Sequence, residues 1–497
     1  MKQICDIAVI GRDIASLVAA MLCARWGKRT ILIAEQGFAS DHEISGYRFS
    51  VDPTPMSGFG PSQTCLRLLA ELDLPLPDRS RLQRLDPAMQ VLLPGCRLDL
   101  PAGREALCDE LQREFPLLGS EFRSFLSSMQ DAVDLFDDWV KANPWIRPSS
   151  CKEALRLLRL IPKLLKTKLA LMRMTGSRLE KKEPAVKRIL EAQRFILSHL
   201  HDEGLKSLSS AYAFCLPWRG LYYAAGGRGS LLEPMRKAFQ DMGGKIINDG
   251  SIVRIRTAAG ENEIDLKAGD DVDKILADRM IVSTKWENLA MILLTERKFQ
   301  RLGRRLRNIR VVRFPFTVQM GVREVGLPER LAPLVAVVSD EKKSVTDRNL
   351  LFLQVSRPGD LESAPAGKRA VEVTLFLHES PLRLTNEELQ RQIFSGLDRL
   401  DSFLPFLREN IDYLDIDKSI ELARRHQEAI NMKYQTKSKP FWGITALGNR
   451  TPAPRVFLTG GLLLAGLGYE GEVMAGIQSA QSALAGEGGP RDAARTV

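Results

Sequence analysis

Residues 5–36 read CDIAVIGRDIASLVAAMLCARWGKRTILIAEQ, and this stretch decides the fold. An apolar strand leads to Gly11, and a helix with one apolar face follows it. Gly27 closes the helix at the C′ position, where glycine tolerates a left-handed backbone. A second apolar strand then leads to Glu35. The order strand, glycine turn, helix, glycine, strand predicts a Rossmann-type βαβ unit.

The turn after the first strand departs from the pattern G-x-G-x-x-G. In that pattern the second glycine lets the backbone approach a pyrophosphate, and the third lets helix and strand pack closely. The sequence GRDIAS keeps Gly11 but has Asp13 and Ser16 at the other two positions. Arg12 is placed to offset the charge of Asp13. Glu35 stands one residue beyond the usual position of the acid that binds ribose hydroxyls.

Two later stretches have the same character. Residues 222–255 contain a glycine-rich turn, a predicted helix and two short strands. Residues 455–484 contain a strand, a glycine-rich loop and a predicted helix from about Glu472. The backbone N–H groups at such a helix start can hold an anion or the edge of a flavin.

In this order, and together with GYRFSVDPTP at residues 46–55, these stretches resemble the flavin-dependent oxidoreductases of the phytoene desaturase and amine oxidase superfamily. The resemblance implies FAD as cofactor, with Val253 on the adenine side. It also implies a set of cofactor-binding residues from three parts of the chain: Gly11, Arg12, Ser16, Glu35, Val253, Gly460, Gly461, Gly468 and Gly471.

The resemblance further implies an α/β architecture with a discontinuous Rossmann-type FAD-binding domain and a second, α+β substrate domain. The FAD-binding domain is expected to comprise 1–100, 220–290 and 440–497. The substrate domain is expected to comprise 101–219 and 291–439. Within the substrate domain, the stretches 310–322 and 368–377 are expected to form an antiparallel sheet over the flavin.

The departures from the family all concern one ligand. Two glycines of the phosphate loop are replaced, and the ribose acid is displaced. The Gly-Gly and Arg segment that wraps the flavin has no counterpart between Gln36 and Gly46. In GYRFSVDPTP, Ser50 and Asp52 replace the usual Asp and Gly. Loss of FAD with retention of the fold is therefore an open alternative.

Composition excludes several classes of protein. The chain has 497 residues, 44% hydrophobic and 27% charged, which is typical of a globular protein with two or more lobes. Its seven cysteines form no CxxC pair, so neither a disulfide framework nor a metal site is expected. The N-terminus does not resemble a signal peptide, and no apolar stretch is long enough to span a membrane. A cytoplasmic protein is expected.

The net charge of +10 is concentrated in residues 151–182. This stretch holds ten basic and two acidic residues, with leucines at helical spacing between them. Such a helix can lie on an anionic membrane surface, or it can be a domain helix with one solvated face. It has no aromatic residues on which bases could stack, so nucleic acid is not expected as a partner.

No constellation of catalytic side chains is evident, and the catalytic residues stay unassigned. The five histidines form no metal-ligand pattern. This suits a flavoenzyme, because the cofactor carries the redox chemistry. Three hypotheses follow: a flavin-dependent desaturase, saturase or isomerase of a hydrophobic polyene or lipid, a flavin-free binder on the same fold like the Rab GDP-dissociation inhibitors, or an interaction subunit that binds a partner protein.

Overall fold

The computed structural model describes most of the chain. The described residues are 2–35, 37–38, 41–60, 63–74, 81–142, 151, 155, 158, 162, 179, 182–201, 207–257, 260–269, 271–286, 289, 297–427, 429–437, 444–445, 447–453 and 455–485. Most of the basic stretch 151–182 lies outside them. Its predicted amphipathic helices and membrane contact therefore stay predictions.

The strands are β1 Lys2–Ile10, β2 Thr30–Ile33, β3 Asp41–Ile44, β4 Tyr47–Ser50, β5 Met56–Ser57, β6 Leu82–Arg84, β7 Met89–Leu93, β8 Cys96–Leu100, β9 Leu221–Ala224, β10 Lys245–Ile247, β11 Ser251–Thr257, β12 Asn262–Ala268, β13 Asp271–Ser283, β14 Ile309–Arg323, β15 Leu334–Val338, β16 Leu350–Val355, β17 Lys368–Leu377, β18 Ile411–Leu414, β19 Lys433–Thr436 and β20 Val456–Thr459. The helices are α1 Ile14–Arg25, α2 Thr64–Glu71, α3 Arg104–Glu114, α4 Gly119–Ala142, α5 Pro184–Leu197, α6 Leu208–Arg219, α7 Gly229–Asp241, α8 Gln300–Arg307, α9 Asn386–Asp401, α10 Ile416–Arg425 and α11 Gly468–Leu484.

The first sheet has a parallel core in the order β10-β2-β1-β13-β20. Strand β13 is long enough to pair with β12 along its first half and with β20 along its last four residues. Strands β12 and β11 extend the sheet in antiparallel fashion. Helices α1 and α11 pack against each other, and residues 15–24 of α1 are all buried. The predicted βαβ unit is confirmed, and the short apolar runs suit a parallel sheet covered on both faces.

The second sheet has the order β18-β14-β17-β16-β15-β7-β8, and β19 also pairs with β14. The predicted antiparallel pairing of 310–322 with 368–377 is confirmed in the β14–β17 ladder. Strands β7 and β8 also belong to this sheet, because β7 is a buried apolar strand that pairs in parallel with β15. The predicted bounds of the two domains stay a prediction.

Among the described residues, no helix combines the length and the apolar character needed to span a membrane.

Candidate functional site

Four parallel strands of the first sheet end at the same edge, and the loops after them form the candidate site. Strand β1 leads into Gly11, β2 into Glu35, β13 into Lys285 and β20 into Gly460. Ligands of open α/β sheets bind in the crevice outside the carboxyl ends of the strands. We call this crevice the cofactor cleft.

Asp13 lies at the start of α1 and is 6% exposed. Its Oδ1 accepts hydrogen bonds from the backbone N–H of Ser16 at 2.8 Å and from Ser16 Oγ at 2.6 Å. Its Oδ2 accepts a hydrogen bond from Ser283 Oγ at 2.5 Å. A carboxylate at this position satisfies an N–H group that the first turn of a helix leaves unpaired. Asp13 is therefore the N-cap of α1, where a phosphate-binding loop has its second glycine.

Gly11 holds the same loop tightly against its neighbours. Its φ of +147° lies in a region that residues with a side chain rarely adopt. A Cβ at this position would lie 2.3 Å from Ser16 Oγ and 2.6 Å from Ser283 Cβ. Gly11 is thus needed for the packing of the loop onto Ser16 and Ser283.

Glu35 accepts hydrogen bonds with both carboxylate oxygens. Its Oε1 accepts from the backbone N–H of Ile252 at 2.6 Å, and its Oε2 accepts from Trp286 Nε1. Val253, the next residue of β11, is 44% exposed and lies at a register shift in the β11–β12 ladder. The acid expected to bind ribose hydroxyls therefore joins β2 to β11 and to the loop after β13.

The cavity left between these groups is small. It has a volume of about 20 Å³ and is lined by Gly11, Arg12, Asp13, Ile33, Glu35, Ser283, Lys285 and Trp286. A cavity needs roughly 10–15 Å³ by the same kind of measure to hold one water molecule. The cleft as described has space for about one solvent molecule.

A buried ion pair lies beside this cavity. Lys285 Nζ is 2.9 Å from Glu472 Oε1, and the two side chains are 7% and 3% exposed. Burial disfavours the charged form of Lys285 and acts to lower its pKa. The attraction of the carboxylates of Glu472 and Asp52 is larger than this effect, so the pKa of the lysine is raised. Asn431 Nδ2 donates to Asp52 Oδ2 at 2.6 Å and to Glu472 Oε2 at 2.9 Å. Arg228 Nη1 is 3.8 Å from Asp52 Oδ2.

Two further titratable groups are buried behind the ion pair. Lys433 Nζ donates to the carbonyl oxygens of Ile196 at 3.1 Å and Ser198 at 2.9 Å. Burial lowers the pKa of Lys433 to about 7, although the charge of Asp52 acts in the opposite direction. His199 is buried, and neither of its ring nitrogens has a hydrogen-bond partner among the described residues. Burial lowers the pKa of His199 well below its usual range.

The predicted C-terminal glycines lie at close backbone approaches. A Cβ at Gly460 would lie 2.7 Å from Thr284 Oγ1, and one at Gly461 would lie 2.5 Å from Asn431 Oδ1. At Gly468 and Gly471 the close neighbour is instead a backbone carbonyl oxygen. It would lie 2.4 Å from a Cβ at Gly468 and 2.3 Å from a Cβ at Gly471. Gly460 and Gly461 therefore border the cofactor cleft, whereas Gly468 and Gly471 allow α11 to pack.

Comparison with known proteins gave no matching protein-family model and no match among curated proteins. Solved structures do match. An oxidoreductase from Methanosarcina mazei superposes with a TM-score of 0.60 at 14% identity, over 97% of this chain and 100% of that one. Putrescine oxidase bound to putrescine gives 0.56 at 13% identity, over 97% and 99% of the two chains.

The chain shares its fold with this oxidoreductase and with putrescine oxidase. A third solved structure with this fold is a RAB GDI. RAB GDI from Plasmodium falciparum superposes with a TM-score of 0.53 at 10% identity, over 97% of this chain and 98% of that one. The fold predicted from the sequence is thereby confirmed.

The residues of the cofactor cleft do not fit FAD in this arrangement. The carboxylate of Asp13 accepts the Ser16 N–H that would face a phosphate. Both oxygens of Glu35 accept hydrogen bonds from the protein itself. The cavity lined by Gly11, Arg12 and Glu35 has a volume of about 20 Å³, so a phosphate placed there would require these groups to move apart.

The fold brings together only part of the predicted site. Gly11, Arg12 and Glu35 line one cavity, with Ser16 and Gly460 adjacent to it. Val253 lies outside that cavity. The sequence reasoning missed a network from five distant segments: Asp52, Arg228, Lys285, Asn431 and Glu472. The described residues contain no cluster of three or more metal-ligating side chains.

Proposed function

We propose that this chain binds a hydrophobic molecule of the polyene or lipid type and meets it at an anionic membrane surface. The observation that carries the membrane contact is an exposed basic surface, here called the arginine surface. It consists of the basic residues of positions 297–310, a range without any acidic residue: Arg297, Lys298, Arg301, Arg304, Arg305, Arg307 and Arg310. The basic stretch 151–182 is proposed to contribute to the same contact.

The arginine surface lies on the exposed face of a short amphipathic helix. In and beside α8, Phe299 and Leu302 are buried, whereas Arg301, Arg304 and Arg305 are exposed. None of these three arginines has an acidic partner among the described residues. A guanidinium binds phosphate groups in a planar, bidentate manner, and each basic residue near an anionic leaflet contributes about 1 kcal/mol.

Two forms of the function are considered. In the first, the chain is a flavin-dependent desaturase, saturase or isomerase, and FAD would supply the redox chemistry. The oxidoreductases that share the fold support an enzyme of this class. In the second, the chain binds its hydrophobic ligand without converting it. RAB GDI shares the fold as well, and the Asp13 cap in the cofactor cleft favours this form.

We expect the protein to sediment with vesicles that contain phosphatidylserine and not with neutral phosphatidylcholine vesicles. Replacing Arg301, Arg304 and Arg305 by glutamine is expected to weaken this binding by about a hundredfold, since three contributions of about 1 kcal/mol each are lost. Raising the salt concentration is expected to weaken the wild-type binding, because salt screens exposed charges.

The matched control carries the same loss of charge elsewhere. Lys237, Lys342 and Arg391 are exposed on other elements, and their replacement by glutamine is expected to leave vesicle binding within about twofold. If both triple variants bind equally well, or if neutral vesicles bind as strongly as anionic ones, the membrane contact through the arginine surface is wrong.

A further inference from the structure

We propose that this chain keeps its fold without FAD, because its own carboxylates accept the hydrogen bonds that a dinucleotide would otherwise accept. The proposal concerns only the cofactor. It is independent of the membrane contact proposed above, and it favours the second form of the function.

The first carboxylate is Asp13, at the phosphate loop. It accepts three hydrogen bonds, from Ser16 N, Ser16 Oγ and Ser283 Oγ. The N-terminus of a helix attracts an anion, and here the anion belongs to the chain. A diphosphate placed at the same turn would bring its charges close to a buried carboxylate, which costs free energy in a medium of low dielectric constant.

The second carboxylate is Glu35, at the ribose position. Ile252 N and Trp286 Nε1 each donate to one of its oxygens. These two donors fix the carboxylate between β11 and the loop after β13, and a ribose would have to share its oxygens with them.

The same arrangement recurs at the second glycine-rich turn, AAGGRG, at the start of α7. Asp41 accepts hydrogen bonds from the backbone N–H of Arg228 at 3.1 Å and of Gly229 at 2.5 Å. Asp360 accepts from the backbone N–H of Gly226 at 3.2 Å. The N–H groups of Arg228 and Gly229 start α7, and they would otherwise be available to an external anion.

The first turn of α11 also carries its own acids. Glu470 Oε1 accepts from the backbone N–H of Thr64 at 3.1 Å, and its Oε2 accepts from the hydroxyl of Tyr212. Glu472 pairs with Lys285. At the starts of α1 and α7, a carboxylate of the chain thus accepts backbone N–H groups that would otherwise be open to an external anion.

The test is FAD binding to the purified full-length chain, measured by equilibrium dialysis and by thermal denaturation. We expect a colourless protein that retains no FAD, and a melting temperature that about 100 μM FAD shifts by less than about 1 °C. Stoichiometric FAD in the purified protein, or saturable uptake with a rise in melting temperature, would overturn the proposal.

Substitution of Asp13 gives a second readout that does not depend on bound FAD. Asp13→Ala is expected to lower the melting temperature by about 2–4 °C in buffer without flavin, because the loop loses its internal anion. Asp415→Ala is the matched control, since Asp415 caps α10 through Lys418 N at 2.8 Å, on an exposed part of the chain. We expect a smaller decrease in melting temperature for Asp415→Ala than for Asp13→Ala.

The two substitutions separate the alternatives. If Asp13 only disturbs a phosphate site, removal of its charge should leave the stability in buffer without flavin unchanged, and that outcome would contradict the proposal. A loss of stability larger than that of Asp415→Ala supports it.

Discussion

Replacement of Lys285 by methionine is expected to lower the free energy of unfolding by about 3–5 kcal/mol. Lys285 and Glu472 are both buried and lie 2.9 Å apart, and Asp52 is close enough to raise the pKa of the lysine. Removing one partner of a buried ion pair leaves the other charge without compensation, and losses of this size are typical. Chemical denaturation of the wild type and the variant measures the difference.

The double variant Lys285→Met with Glu472→Met tests the cause. If the loss in the single variant comes from the unpaired charge of Glu472, the second substitution should recover most of it. If the double variant is less stable than the single one by several kcal/mol, the pair acts through packing or through Asn431. Lys418→Met is the surface control, because the Lys418–Glu421 pair is exposed and should change stability by less than about 1 kcal/mol.

The sequence was sufficient to predict the fold because the signals for the first sheet are local. Gly11 and Gly27 mark the ends of α1, and the apolar runs on either side become β1 and β2. The strand predicted within residues 455–484 is β20, Val456–Thr459. The pairing of β7 with β15 could not be predicted, because β15 lies more than 200 residues further along the chain.

The cofactor cleft could be predicted only in part. Asp13 was interpreted as a defect in a phosphate loop, whereas the spacing of Asp13 and Ser16 is also the local signature of a capped helix start. The glycine pattern drew attention away from that signature. The arginine surface was likewise visible in the sequence, as seven basic residues within positions 297–310, but the longer basic stretch 151–182 outweighed it.

The ion pair between Lys285 and Glu472 could not have been predicted from spacing. The two residues follow different strands of the first sheet and are 187 positions apart. Nothing near Lys285 in the sequence distinguishes it from a surface lysine. Only the order of the strands brings it to the edge where α11 begins.

Replacement of Lys433 by methionine is expected to increase the stability of the protein, whereas replacement of Lys285 decreases it. The size of this increase depends on pH. Lys433 is 4% exposed, its Nζ donates to two carbonyl oxygens, and burial lowers its pKa to about 7. In an unfolded chain the pKa of a lysine is about 10.4. Between these two values the unfolded chain holds a proton that the folded chain has lost. The stability of the wild type should therefore rise as the pH increases from about 7 to 10.

The expected contribution is of the order of 4 kcal/mol over this pH range. Lys433→Met removes it, so the stability of the variant should change less with pH than that of the wild type. At pH 7 the variant should be more stable than the wild type, by less than this amount because the carbonyl groups of Ile196 and Ser198 lose their donor.

Lys433→Arg is the opposite control, since arginine stays charged and this variant should be less stable than the wild type at every pH. Parallel stability curves for wild type and Lys433→Met would show that Lys433 keeps an ordinary pKa. It would then be charged in the folded chain, and Asp52, the acid whose charge acts on it, would have to compensate a buried ammonium group as Glu472 does for Lys285.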